Sequence, residues 1–258
     1  MFGTKAGIGA CFIISICILS GTAGGQQAAQ KAPAPADDWQ RQREIQLHED
    51  WGDLRHFSEQ NRKLPAASAA TPRVVFMGDS ITEGWKSHGV PSAAEDATKD
   101  WVNRGISGQT TPQMLVRFRP DVIALKPAVV VILAGINDIA GNTGDMTLEQ
   151  TEDNLASMAD LAQANGIRVV LCSVMPAFDF PWKPGRQPAP KVVELNTWIK
   201  AFAASKGHVY VDYYSAMADE RGGLPKTLSG DGVHPNPAGY AIMTPLVEAG
   251  IGKALGAK

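Results

Sequence analysis

From residue 73 onward, short apolar runs alternate with longer stretches in which apolar residues recur every three or four positions. The runs at 73–77, 101–103, 128–133, 168–174 and 208–212 predict five strands. Those at 128–133 and 168–174 are continuous and rich in Val, Ile and Leu, as strands buried on both faces require. The segment 147–165 opens on Thr147-x-x-Gln150, a capping box, and carries Leu148, Leu155, Met158 and Leu161 on one side of a helix. Val192, Leu195, Trp198, Ile199 and Phe202 mark a second stripe, and residues 237–247 predict a closing helix that Pro245 bends or frays. Strands alternating with helices imply βαβ units, right-handed crossovers and a parallel sheet covered on both faces. No internal repeat or second domain shows in the pattern. Residues 175–190 carry five prolines interleaved with Phe178, Phe180 and Trp182, a long loop suited to shaping a cleft.

The beginning of the chain has another character. Within residues 1–25, Lys5 is the sole charge, an apolar stretch follows, and Gly21-Thr22-Ala23 offers small residues for cleavage. That order predicts a secretory signal peptide, hence a secreted or periplasmic protein with no membrane span after processing. Residues 26–37, rich in Ala, Gln and Pro, read as a linker. Residues 38–72 read as a helical extension whose Trp39, Ile45, Leu47, Trp51, Leu54 and Phe57 pack on the main domain, residues 73–258. Signal removal takes Cys11 and Cys17 and leaves Cys172 alone inside an apolar run, a buried packing residue with no disulfide partner. The formal net charge of -2 over 258 residues gives nucleic acid no electrostatic footprint.

Four short segments carry chemistry. The first strand candidate ends in Gly78-Asp79-Ser80, which presents a hydroxyl at the carboxyl edge of the sheet, where open α/β folds place ligands. A serine hydroxyl needs a base; taken alone, Ser80 serves equally well as a helix cap. Asp231 and His234 lie three residues apart in a segment broken by Gly232 and Pro235, a spacing that brings a carboxylate against an imidazole. Asn103-Arg104-Gly105-Ile106-Ser107-Gly108 and Gly135-Ile136-Asn137-Asp138 each follow a strand candidate, on the same edge as Ser80. The N–H groups of Ser80 and Gly105 and the amide of Asn137 are candidate donors to an oxyanion. A tight turn at Gly105 and an Asx-turn at Asn137 are the bland readings of the same residues. Acids and histidines show no metal-ligand spacing, and neither G-x-G-x-x-G nor a P-loop occurs, so no metal or cofactor is expected.

In this order the four segments resemble the SGNH hydrolases, the GDSL esterase/lipase family, from about residue 73 to the carboxyl end. The resemblance implies a three-layer α/β/α sandwich with a flavodoxin-like five-stranded parallel sheet. It makes Ser80 the nucleophile, His234 the base and Asp231 its orienter, with Ser80, Gly105 and Asn137 forming the oxyanion hole. The expected activity is hydrolysis of carboxylic esters through an acyl-enzyme, and the expected substrates are small-molecule or carbohydrate esters carrying short acyl groups such as acetyl. A lysophospholipase or long-chain lipid esterase, a thioesterase, and a carbohydrate-binding protein that has lost catalysis are the alternatives. Trp85, Trp101 and Trp182 are candidates for stacking on sugar rings, though structural packing is the preferred reading of each.

Overall fold

A computed structural model describes residues 35–87 and 98–256. The signal-peptide segment and nearly all of the linker lie outside the described residues. The chain forms two compact units, Met1–Arg41 and Gln42–Lys258; of the first, only the opening residues of helix α1 are described.

The second unit is built on five parallel strands, β1 (Arg73–Gly78), β2 (Asp100–Gly105), β3 (Val129–Leu133), β4 (Arg168–Cys172) and β5 (Val209–Val211), in the spatial order β2-β1-β3-β4-β5. Every residue of β1 and β3 is buried, the outcome the apolar runs Val74–Met77 and Val129–Leu133 demand. Register decides where the site falls. Gly78 pairs with both Gly105 and Leu133, so β1, β2 and β3 end level, and the residues that follow them share one rim. Chain order reverses between β1 and β3, the switch point at which sheets of this order bind ligands.

The helices are α1 (Pro35–Glu49), α2 (Ser58–Lys63), α3 (Ser80–Gly84), α4 (Thr111–Asp121), α5 (Ile136–Ala140), α6 (Leu148–Ala164), α7 (Pro188–Lys206), α8 (Tyr213–Met217) and α9 (Pro237–Leu255). Helix α6 starts at the expected capping box, with Thr147 Oγ1 accepting from Gln150 N–H. Helices α4, α6 and α7 pack side by side, and α9 packs along β3, β4 and β5. Together they enclose a core running from Val74 to Ala254, a flavodoxin-like fold.

Some expected boundaries move. Helix α9 runs on to Leu255 through Pro245. Val247, Ile251 and Ala254 are buried beyond the proline, and Gly250 lies so close to Val211 that a Cβ would stand 2.5 Å from its Cγ2. Packing on the sheet outweighs the lost donor. Strand β4 stops at Cys172, short of residue 174, because the Asn196 side chain takes over the hydrogen bonds of both the N–H and the carbonyl of Val174. Ahead of β1, two helices form as expected and Phe57 is fully buried. Ile45, Trp51 and Leu54 are each more than a third exposed, so only part of that extension packs. The side chain of Trp39 lies outside what is described.

Candidate active site

The rim above the switch point is built from four turns. At the end of β1, Asp79 rather than Ser80 caps α3: its Oδ1 accepts the Ile81 N–H at 3.0 Å. The cap leaves the Ser80 hydroxyl unused by the helix, and Ser80 Oγ lies 2.9 Å from His234 Nε2. Residues separated by 154 positions in the chain thus meet.

His234 is held by the turn that carries Asp231. Asp231 Oδ1 accepts the main-chain N–H groups of Val233 and His234 at 2.9 and 2.8 Å, and Oδ2 lies 2.6 Å from His234 Nδ1. Ser229 Oγ anchors the same turn by accepting from Gly232 N–H. Burial works against the charge on Asp231. The hydrogen bonds from the His234 and Val233 N–H groups and the imidazole outweigh it, and the carboxyl stands at about 2. An ionised carboxylate only accepts. Nδ1 therefore carries a proton, and whenever the ring holds that proton alone Nε2 offers its lone pair to the Ser80 hydroxyl. That is the tautomer a general base requires.

Asn137, at the start of α5, is buried, and both sides of its amide are identified by their partners. Nδ2 donates to Gln109 O at 2.9 Å, while Oδ1 accepts from Asn142 Nδ2 at 2.9 Å. The second hydrogen on Nδ2 has no acceptor among the described residues. The N–H of Ser80 opens α3 and has no intrahelical acceptor.

Gly105 is a correction. Its N–H donates to Asn103 Oδ1 at 2.9 Å, and the residue is buried beneath α3. A Cβ there would collide with Glu83 N and come within 2.7 Å of Asp79 O and Thr82 C. Gly105 is glycine because β2 passes against the backbone of α3, not because its N–H faces a ligand. Three residues on, Gly108 is partly exposed with φ 75°. Its N–H donates to no group among the described residues, and its carbonyl accepts from Asn142 Nδ2 at 3.2 Å. Ser107 N–H donates to Glu83 Oε2 at 2.9 Å and holds the same turn to α3. Gly105-Ile106-Ser107-Gly108 contains two glycines, and the left-handed backbone that distinguishes the second is a property of the folded turn.

Asp138, beside Asn137, has a structural task. It accepts from the N–H and hydroxyl of Thr111 and so fixes the start of α4; burial raises its pKa to about 6. Trp85 and Trp101 are buried in the core, whereas Trp182 is 40% exposed, with its ring centroid 5.9 Å from that of His234. A cleft of about 350 Å³ beside Asp231 is lined by Phe178, Phe180, Pro184 and Leu224 together with Asp179, Arg221 and Lys226. Cys172 is buried, and burial pushes its thiol to about 12, which makes it inert packing. Among the described residues no cluster of His, Cys, Asp or Glu could hold a metal ion, and no helix is long and apolar enough to cross a membrane.

A serine, an imidazole and a carboxylate in hydrogen-bonded series at the switch point of a flavodoxin-like sheet define the class of SGNH-type acyl hydrolases. Residues 76–242 match the GDSL-like lipase/acylhydrolase family, and the chain belongs to it, a family of carboxylic ester hydrolases. The solved structure of a GDSL-like lipase from Bacteroides thetaiotaomicron is 43% identical, matches 80% of this chain and 100% of its own, and superposes with a TM-score of 0.75. Esterase TesA of Pseudomonas aeruginosa is 31% identical over 67% of this chain and 84% of its own length. An acetylxylan esterase of Xylanibacter ruminicola is 29% identical over 74% of this chain. The chain spans about half of that last protein, the match covering 45% of it.

Proposed function

We propose that this protein is a secreted serine esterase that removes short acyl groups, above all acetyl, from carbohydrates. The 2.9 Å contact between Ser80 Oγ and His234 Nε2, backed by Asp231, is the observation that carries the reading. In the first step Ser80 Oγ attacks the ester carbonyl and its proton passes to His234 Nε2, while Asp231 supports the imidazolium. The tetrahedral oxyanion takes hydrogen bonds from Ser80 N–H, the free hydrogen of Asn137 Nδ2 and Gly108 N–H, which replaces Gly105 in this role. His234 then gives its proton to the departing alcohol, and water repeats the sequence on the acyl-enzyme.

Two observations favour a carbohydrate alcohol. Trp182 presents an exposed indole beside the imidazole, a surface on which a sugar ring stacks. The matched protein of Xylanibacter ruminicola is itself an acetylxylan esterase. The cleft beside Asp231, where Phe178 and Leu224 stand with Arg221 and Lys226, supports a second reading, a longer acyl chain lying along Phe178 and Leu224. A series of p-nitrophenyl esters run beside acetylated xylan separates the two. Highest kcat/KM on acetate, with acetic acid released from the xylan, is expected; an optimum at eight carbons or more overturns the carbohydrate reading. Export is tested by finding the protein outside the cytoplasm with residues 1–25 removed.

A further inference from the structure

Asn142 stands just beyond α5 and belongs to none of the four motifs, yet it touches two of the three residues that supply oxyanion donors, Asn137 and Gly108. Its Nδ2 uses one hydrogen on Asn137 Oδ1 at 2.9 Å and the other on Gly108 O at 3.2 Å. Its Oδ1 accepts from Trp182 Nε1 at 3.3 Å, and its main-chain N–H donates to Asn137 O at 3.0 Å. Both acceptors of Nδ2 belong to residues whose remaining N–H groups are assigned above to the oxyanion.

An amide is planar, so a partner on its oxygen side settles where its nitrogen points. With Asn142 Nδ2 against Oδ1 and Gln109 O against Nδ2, the Asn137 side chain has one orientation, and its spare hydrogen has one direction. The Gly108 turn is held on one side by Glu83 through Ser107 N–H and on the other by Asn142 through the Gly108 carbonyl. Trp182 ties the same amide to the segment that covers His234. That segment is bound to the 141–145 loop twice more, by Lys183 Nζ to Gly141 O and by Arg186 to Asp145. The chemistry asked of residue 142 is two donors on one edge and an acceptor on the other, which asparagine supplies and aspartate does not.

We propose that Asn142 is the positioning residue that aims the Asn137 and Gly108 donors at the oxyanion, and that Trp182 joins their alignment to the wall of the alcohol site. The inference rests on the serine-esterase reading above. Asn142→Asp is nearly isosteric but sets an acceptor against Asn137 Oδ1 and Gly108 O, turning the Asn137 amide away. On p-nitrophenyl acetate it lowers kcat by about a hundredfold, the cost of losing an oxyanion donor. Asn142→Ala lowers kcat by roughly tenfold or more. KM stays within about threefold in both, because the donors act on charge that develops only in the transition state.

Phenylboronic acid, which forms a tetrahedral adduct on the serine oxygen, provides the readout that a merely structural role would not move. Its affinity falls in parallel with kcat across Asn142→Asp, Asn142→Ala and Trp182→Phe, the last losing the least. Circular dichroism melting excludes variants that fail to fold. If kcat for both Asn142 variants stays within threefold of the parent, or the loss sits in KM alone, or boronate affinity is unchanged, the positioning role is wrong. If Ser80→Ala retains full turnover, the esterase reading fails and takes the inference with it. An inactive Ser80→Ala beside a fully active Asn142→Asp discards the positioning role alone.

Discussion

The side chain that releases Ser80 for chemistry is its neighbour. By accepting the Ile81 N–H, Asp79 performs the cap a serine would otherwise supply. Ser80→Ala and His234→Ala are therefore expected to abolish turnover of a chromogenic acetate ester while leaving the fold intact, and Asn137→Ala to cost about a hundredfold or more in kcat. Asp79 also carries a liability. Its Oδ2 is buried with no hydrogen-bond partner among the described residues, and burial pushes the carboxyl up to about 7, as it pushes Asp138 to about 6. In the unfolded chain both ionise near pH 4. Between roughly pH 4 and 7 the folded protein thus retains protons that the unfolded chain has released, and stability falls as pH rises through that window. Asp79→Asn keeps the cap acceptor and removes that carboxyl's share, so its melting temperature should depend less on pH between 4.5 and 7 than the parent's does. Equal slopes in the two proteins would disprove the assignment.

Among the elements, β2 and α3 are fitted backbone to backbone. Gly105→Ala drives a methyl group into the α3 turn, and the expected effect is on folding, about 1–3 kcal/mol or more by denaturant titration. Gly108→Ala differs. Its φ of 75° strains an alanine by about 1–2 kcal/mol, and the larger consequence is a fall in kcat as the turn shifts. The pair distinguishes a glycine required by packing from one required by a free N–H. Helix α9 shows how weakly a single residue preference binds when a whole face is buried: Pro245 removes a donor, yet the apolar positions after it keep the helix on the sheet. Thr244 Oγ1, which donates to Tyr240 O and accepts from Trp85 Nε1, ties that turn to the core.

At the scale of the molecule, the segment ahead of β1 joins the site through buried polar groups. Arg117 is fully buried; it donates to Gly78 O at 3.0 Å, pairs with Asp121 at 3.2 Å and meets Gln109 Oε1. Asp121 in turn accepts from Asn61 of α2, whose Oδ1 accepts from Arg104, and the Arg104 guanidinium lies 4.5 Å from the Phe57 ring centroid. Gln113 Nε2 reaches Trp51 O at 2.7 Å. Asp121→Ala strands a buried guanidinium and should cost about 3–5 kcal/mol. A chain beginning at residue 64 loses Asn61 and Phe57 and should melt on the order of 10 °C lower, by the usual conversion for a chain of this size. A chain beginning at residue 50 loses, among the described residues, only α1, whose Ile45 is exposed, and should melt within about 2 °C of the parent.

The sequence by itself determined the five strands, their parallel arrangement, the capping box of α6 and the Ser80, Asp231 and His234 constellation. Hydrophobic period and local turn chemistry act over a few residues, and those can be read along a chain. Tertiary structure decided the rest. Whether Gly105 or Gly108 offers its N–H depends on which backbone lies against the turn, and Asn142 acquires its task only when the segments after β2, β3 and β4 converge. Asn61 meets Asp121 across a separation of 60 positions. Contacts of that kind have no period to betray them, because they are fixed by three-dimensional closure of the sheet edge and not by the preferences of neighbouring residues.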